Sequence, residues 1–173
     1  FPVIEDAAHA VDSILDGKYC GAIGDVGIFS FDPVKNLASC EAGGVTAKDP
    51  AMVERVRTLR YCGIGKSGFE ASATKERWWE YNIVDFFPKM LPSDIAAGIC
   101  LAQLNKLDSL QDRRREVWDR YQKAFADLPW LVRPQDAASN ERHSFFTYCV
   151  RVPGRNRDRF AKSLYDAGIY TTL

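Results

Sequence analysis

Apolar and polar positions form three short strand-like runs early in the chain: Val3-Ile4-Glu5, Val26-Gly27-Ile28-Phe29-Ser30-Phe31 and Gly44-Val45-Thr46-Ala47. Each is bounded by Gly, Asp or Pro, so the pattern predicts three β-strands. Between the first two, Asp6-Ala7-Ala8-His9-Ala10 leads into a short helix or loop, with a turn expected at Asp16-Gly17. Asp49-Pro50 sets a capping carboxylate before a proline tolerated in the first helical turn. Val53, Val56 and Leu59 then recur at helical spacing, predicting a helix through about Tyr61. Residues 62–92 read as one long functional loop carrying the aromatic cluster Trp78-Trp79-Glu80-Tyr81. Ser93 is a good N-cap for a helical stretch to about Leu128, bent near Asn105 where the apolar period slips. A polar loop (134–142), a strand (144–152), a helix (158–167) and a second strand (169–173) complete the expectation.

Strands alternating with helices, with polar residues just past the strand ends, make an α/β pattern. In open α/β sheets ligands bind at that edge. The last third changes character to strand, helix and strand, the start of a small α+β domain. The expected division is therefore 1–128 and 129–173, with the boundary near Pro129 to Pro134. The chain opens directly into one strand-like run and stops inside another, so it reads as a piece of a longer protein.

With 46% hydrophobic residues the chain can bury a core, which excludes a disordered or fibrous class. Lys+Arg and Asp+Glu balance at 23 each. No basic footprint for nucleic acid or a membrane surface results, and a small-molecule partner is expected. No apolar run approaches the roughly 20 residues of a membrane span, and no signal peptide is recognisable, so the expected location is cytoplasmic. The five cysteines are scattered and odd in number, which predicts reduced, mostly buried thiols and neither disulfides nor zinc.

Gly63-Ile64-Gly65-Lys66-Ser67-Gly68 imitates a nucleotide-binding loop, but it follows a helix, and Arg60 stands where a Walker A loop needs glycine. It reads as an ordinary flexible loop. More informative is Ser30-Phe31-Asp32-Pro33-Val34-Lys35-Asn36, which puts a lysine on a turn just past a strand, followed by Glu41-Ala42-Gly43-Gly44-Val45. Most lysines only solvate a surface. A second element changes the picture: Val3-Ile4-Glu5-Asp6-Ala7-Ala8-His9 brings a carboxylate and an imidazole out of the first strand together. Lysine plus carboxylate is what a pyridoxal 5'-phosphate (PLP) site requires, one for a Schiff base and the other against the pyridine nitrogen. Taken singly, Asp6 also reads as a helix N-cap, and His9 as a satisfied core or surface histidine.

These motifs, with Gly24-Asp25 before the second strand, resemble the DegT/DnrJ/EryC1/StrS family of PLP-dependent nucleotide-sugar aminotransferases. The likeness continues through Tyr81-Asn82, Leu91-Pro92-Ser93-Asp94-Ile95-Ala96-Ala97, Leu101-Ala102-Gln103-Leu104, Arg113-Arg114-Arg115 and Gly168-Ile169-Tyr170-Thr171-Thr172, covering nearly the whole chain.

The resemblance implies fold type I, here part of the large mixed-sheet domain plus the start of the small domain. It also implies an amino shuttle from glutamate to a nucleotide-linked keto-sugar, preferably a 4-keto-6-deoxy sugar. By matching position, Lys35 would hold PLP covalently and then move the substrate proton. Asp6 would pair with the pyridinium, and His9, where many relatives carry Gln, would sit near the ring and its phenolic oxygen. Ser30 would donate to the cofactor phosphate, and Asn82 would reach the phosphate of a neighbouring subunit's cofactor, implying a homodimer with shared active sites. Relatives that are sugar dehydratases commonly replace the lysine with His; Lys35 points to transamination. Cys40, Ala42 and Ile83-Val84-Asp85 depart from the family pattern and bear on substrate choice more than on cofactor chemistry. The family's main phosphate loop and ring-stacking aromatic would lie upstream of Phe1.

Overall fold

A computed structural model of the chain describes residues 1–65, 79, 82–154 and 157–172. These fall into two compact units, Phe1–Asp108 with Ala137–Ser144, and Ser109–Asp136 with Phe145–Leu173.

The first unit is organised by a mixed sheet of three strands, β1 (Ile4–Asp6), β4 (Val26–Ser30) and β5 (Gly43–Ala47), in the order β1-β4-β5. β1 and β4 run parallel with Asp6 opposite Ile28. β5 returns antiparallel, Ser30 facing Gly43 and Ile28 facing Val45. All three predicted early strands are present within a residue or two. One face of the sheet is apolar yet open, with Ile4, Ile28 and Val45 all exposed.

The stretch expected as a short helix or loop is a loop that ends in a hairpin. β2 (Ile14–Leu15) and β3 (Lys18–Tyr19) pair across Asp16-Gly17, whose φ values of 50° and 74° suit the tight turn that Asp-Gly favours. β6 (Glu141–Arg142) returns from far along the chain to pair with β2. Asp12 and Arg142 form an ion pair beside it.

Helix α1 (Pro50–Arg60) starts as predicted, with the Asp49 carboxylate accepting from the Ala51 amide at 2.9 Å. Ser93 likewise caps α2 (Asp94–Leu104) through the Ala96 amide. The single bent helix expected to Leu128 is instead two: α2 ends at Leu104 and α3 runs Leu107–Ala124. Asn105 and Lys106 close the first helix with amides bonded back to Leu101 and Gln103.

The second unit packs α3 against residues 145–148. Trp118, 4% exposed, meets Phe145 and Tyr148 edge-on, with centroids 5.5 and 4.9 Å away. Its indole N–H donates to Asp136 at 2.7 Å. Helix α4 (Arg157–Asp166) lies as expected. The strands predicted at 144–152 and 169–173 do not form among the described residues. Phe145 sits at φ 51°, which breaks an extended run, and only Arg151 finds a bridge partner, Val132. The thiols also differ from expectation: Cys20, Cys62 and Cys100 are half-buried, while Cys40 and Cys149 are exposed. Among the described residues no helix is long and apolar enough to cross a membrane.

Candidate active site

Because β1 and β4 are parallel, their C-terminal ends open on the same edge of the sheet, and the chain that follows each carries the polar residues. β1 ends at Asp6, exposed. Its carboxylate accepts from the Ala8 amide at 3.1 Å, an Asx turn that aims the chain toward His9. Beneath it Ala7, 1% exposed, is pinned to β4 by its amide on the Ile28 carbonyl.

β4 ends at Ser30, and Asp32-Pro33-Val34-Lys35 forms a turn closed by the Lys35 amide on the Asp32 carbonyl at 2.9 Å. Pro33 presets that turn, and the Asp32 carboxylate accepts from the Val34 amide. The loop is then held from below. Asn36, Leu37 and Ser39 are buried, and the Ser39 hydroxyl donates to the Ala96 carbonyl in α2 at 2.6 Å. The structure brings two of the predicted residues into contact: Lys35 Nζ is 2.7 Å from His9 Nε2. One nitrogen must donate and the other accept, so a single proton occupies the bond between them.

Ser30 Oγ accepts a long contact from the Asp32 amide, 3.4 Å, a bond that does not use the hydroxyl proton. Asn82 belongs to a different piece of chain. It is exposed and accepts through its backbone carbonyl from the Gly65 amide. Trp79 is exposed; Trp78 and Tyr81, like Lys66, Ser67 and Gly68, lie outside the described residues.

Three polar residues that sequence reasoning left without a role anchor the chain around these strands. Glu5 takes the amides of Gly21, Ile23 and Gly24 on its carboxylate, at 2.8, 2.7 and 2.5 Å. Those bonds, the one from Gly21 foremost, hold its pKa below the ordinary carboxylate range against the opposing effect of burial. Asn36 and Ser144, both buried, bond to each other. A signal for Glu5 existed in the glycines after Cys20; Ser144 had none, being distant in sequence.

Over its whole length, residues 1–173, the chain matches the DegT/DnrJ/EryC1/StrS aminotransferase family. The chain belongs to that family. A dTDP-4-dehydro-2,3,6-trideoxy-D-glucose 4-aminotransferase of Saccharopolyspora spinosa is 33% identical over 171 residues, 98% of this chain and 44% of the relative. The crystal structure of the aminotransferase TlmJ of Streptoalloteichus hindustanus superposes with a TM-score of 0.90 at 36% identity, covering 99% of this chain and 44% of that one. A putative sugar aminotransferase of Streptococcus pneumoniae in its PMP form gives 0.90 at 31%, covering 100% and 45%. The chain thus spans less than half the length of the relatives it matches. Its fold is that of part of a fold-type-I PLP-dependent transferase.

The residues at the sheet edge fit the cofactor of this family. An exposed carboxylate ends one strand, a hydroxyl ends its parallel neighbour, and an amine touching an imidazole stands on the turn beyond. A pyridinium, a phosphate and an aldehyde call for those three kinds of group.

Proposed function

We propose that the complete protein is a PLP-dependent aminotransferase that moves an amino group from glutamate to a nucleotide-linked 4-keto-6-deoxy sugar. The observation that carries this reading is the amine of Lys35 held 2.7 Å from His9 past the ends of two parallel strands. When bound, PLP supplies an aldehyde that carries the amino group and a ring that takes up the electron pair released at the substrate carbon. Lys35 binds the cofactor and, once released, moves the proton at the substrate carbon. Asp6 keeps a proton at the pyridine nitrogen, His9 orients the neighbouring amine and ring oxygen, and Ser30 donates to the phosphate. Asn82 reaches toward the cofactor of a second subunit, so the working form is a homodimer with shared active sites. Residues 1–128 form part of the large domain and 129–173 begin the small one. The protein works in the cytoplasm.

The sugar assignment follows the name of the Saccharopolyspora relative, a 4-aminotransferase; a 3-keto sugar is the alternative. Lys35 favours transamination over dehydration, since the dehydratases of the family commonly have His there. The deciding experiment uses the full-length protein. Borohydride should fix PLP to the Lys35 peptide, and glutamate should be converted to 2-oxoglutarate beyond one equivalent per site only when a nucleotide keto-sugar is supplied to take up the amino group. Loss of water from the keto-sugar without amino transfer would leave the dehydratase, and neither fixation nor turnover would leave a non-catalytic scaffold.

A further inference from the structure

Asn36 and Ser144 are polar, each only 6% exposed, and neither has a part in the chemistry above. The Asn36 amide donates to the Ser144 carbonyl at 2.5 Å, and the Ser144 hydroxyl donates to the His9 carbonyl at 2.8 Å. One residue therefore grips both sides of the Lys35–His9 contact. Through Asn36 it holds the turn that ends in Lys35, and through its hydroxyl it holds the backbone of His9 itself. The partners lie 108 and 135 residues apart in sequence, so no local turn or cap explains the bonds.

We propose that Asn36 and Ser144 form a clasp that positions Lys35 against His9, making both of them positioning residues of the aminotransferase site. The inference rests on the reading of Lys35 given above. A lysine amine rides on a flexible four-carbon stem, so its location depends on where its backbone is anchored and on what it bonds. Pro33 and Val34 of the Asp32–Lys35 turn and His9 are exposed, and a buried amide–carbonyl–hydroxyl chain holds both segments. A buried donor or acceptor left without its partner is costly, which keeps the chain of bonds closed. A shift of the amine by about 1 Å can slow its chemistry by up to about 100-fold.

The test uses full-length protein stripped of cofactor, in wild-type form and as Ser144→Ala, Ser144→Thr and Asn36→Ala. The measurement is the rate at which added PLP becomes fixable to Lys35 by borohydride, followed on the Lys35 peptide by mass spectrometry. The melting temperature of each stripped protein monitors the fold separately. Ser144→Ala and Asn36→Ala should slow capture about tenfold, and Ser144→Thr, which keeps the hydroxyl, should restore it. A role confined to holding the fold together would lower the melting temperature while capture kept its wild-type rate, and that result overturns the clasp. Should Asn36→Ala fail to fold, Ser144→Ala, which deletes a single oxygen, decides alone. If wild-type protein fixes no PLP at Lys35, the aminotransferase reading falls and the clasp with it.

Discussion

Lys35 and His9 share one hydrogen bond although 26 residues separate them. The bond exists because two parallel strands end together: the loop after β1 and the turn after β4 leave the sheet on the same side. An imidazole nitrogen that accepts from an amine can be imitated by an amide oxygen, whereas an aliphatic side chain offers nothing. His9→Gln is therefore expected to keep turnover within a few-fold of wild type. His9→Leu should lower it roughly 10- to 100-fold, the worth of a hydrogen bond to a charged group. Steady-state kinetics of both variants check this, and a fully active His9→Leu would show that the imidazole does not serve the lysine.

Asp6 has two readings that one substitution separates. Its carboxylate accepts from the Ala8 amide, a bond an Asn side-chain oxygen can also accept, so Asp6→Asn should leave the turn and the melting temperature nearly unchanged. The negative charge that would hold a pyridinium proton is lost. Turnover should then fall by at least about 100-fold, the usual cost of removing one preorganised electrostatic partner. Wild-type turnover in Asp6→Asn would reduce Asp6 to a turn-former.

The early strands and α1 were legible because their signals are local: apolar positions at strand spacing between glycines, and Asp49-Pro50 before a helical period. Lys35 on its turn was legible for the same reason, through Pro33. The β2–β3 hairpin escaped because strands of two residues have no period, and β6 because its partner β2 lies so far back that Asn140 meets Asp16 across 124 positions. Residues 144–152 misled, since their aromatic and β-branched composition suits a strand while Phe145 turns the backbone into the left-handed region. The family itself was readable from a series of motifs in order. The clasp was not, because a buried Ser–Asn pair leaves no spacing pattern.

Glu5 should make stability depend on pH on the acid side. Backbone amides, that of Gly21 first, stabilise its ionised form in the folded state, so its folded pKa lies below the unfolded value of about 4.5. Stability from this group is complete above the unfolded value and is lost as pH falls through the lower folded value. Glu5→Gln should cost about 1–3 kcal/mol at pH 7, and that cost should shrink as the pH drops below about 4. Urea unfolding midpoints of the two full-length proteins across pH 3–7 provide the measurement. A constant gap over that range would mean the carboxylate charge contributes nothing beyond its shape.

Gly27 is the point where the Glu5 loop and the sheet come too close for any side chain. It is buried in the middle of β4, and a Cβ there would run into the Gly21 carbonyl and the Thr46 hydroxyl, nearer than real Cβ atoms approach. The Gly21 carbonyl is backbone, and Thr46 already donates to it, so neither neighbour can swing away. Gly27→Ala should then push the 21–24 loop off the sheet at a cost of about 1–3 kcal/mol. Because Ser30 and the Lys35 turn continue from the same strand, PLP capture at Lys35 should weaken alongside the melting temperature. An alanine variant with unchanged melting and capture would show that the loop yields freely, and that the tight contact between Gly21 and Gly27 does not hold β4 in place.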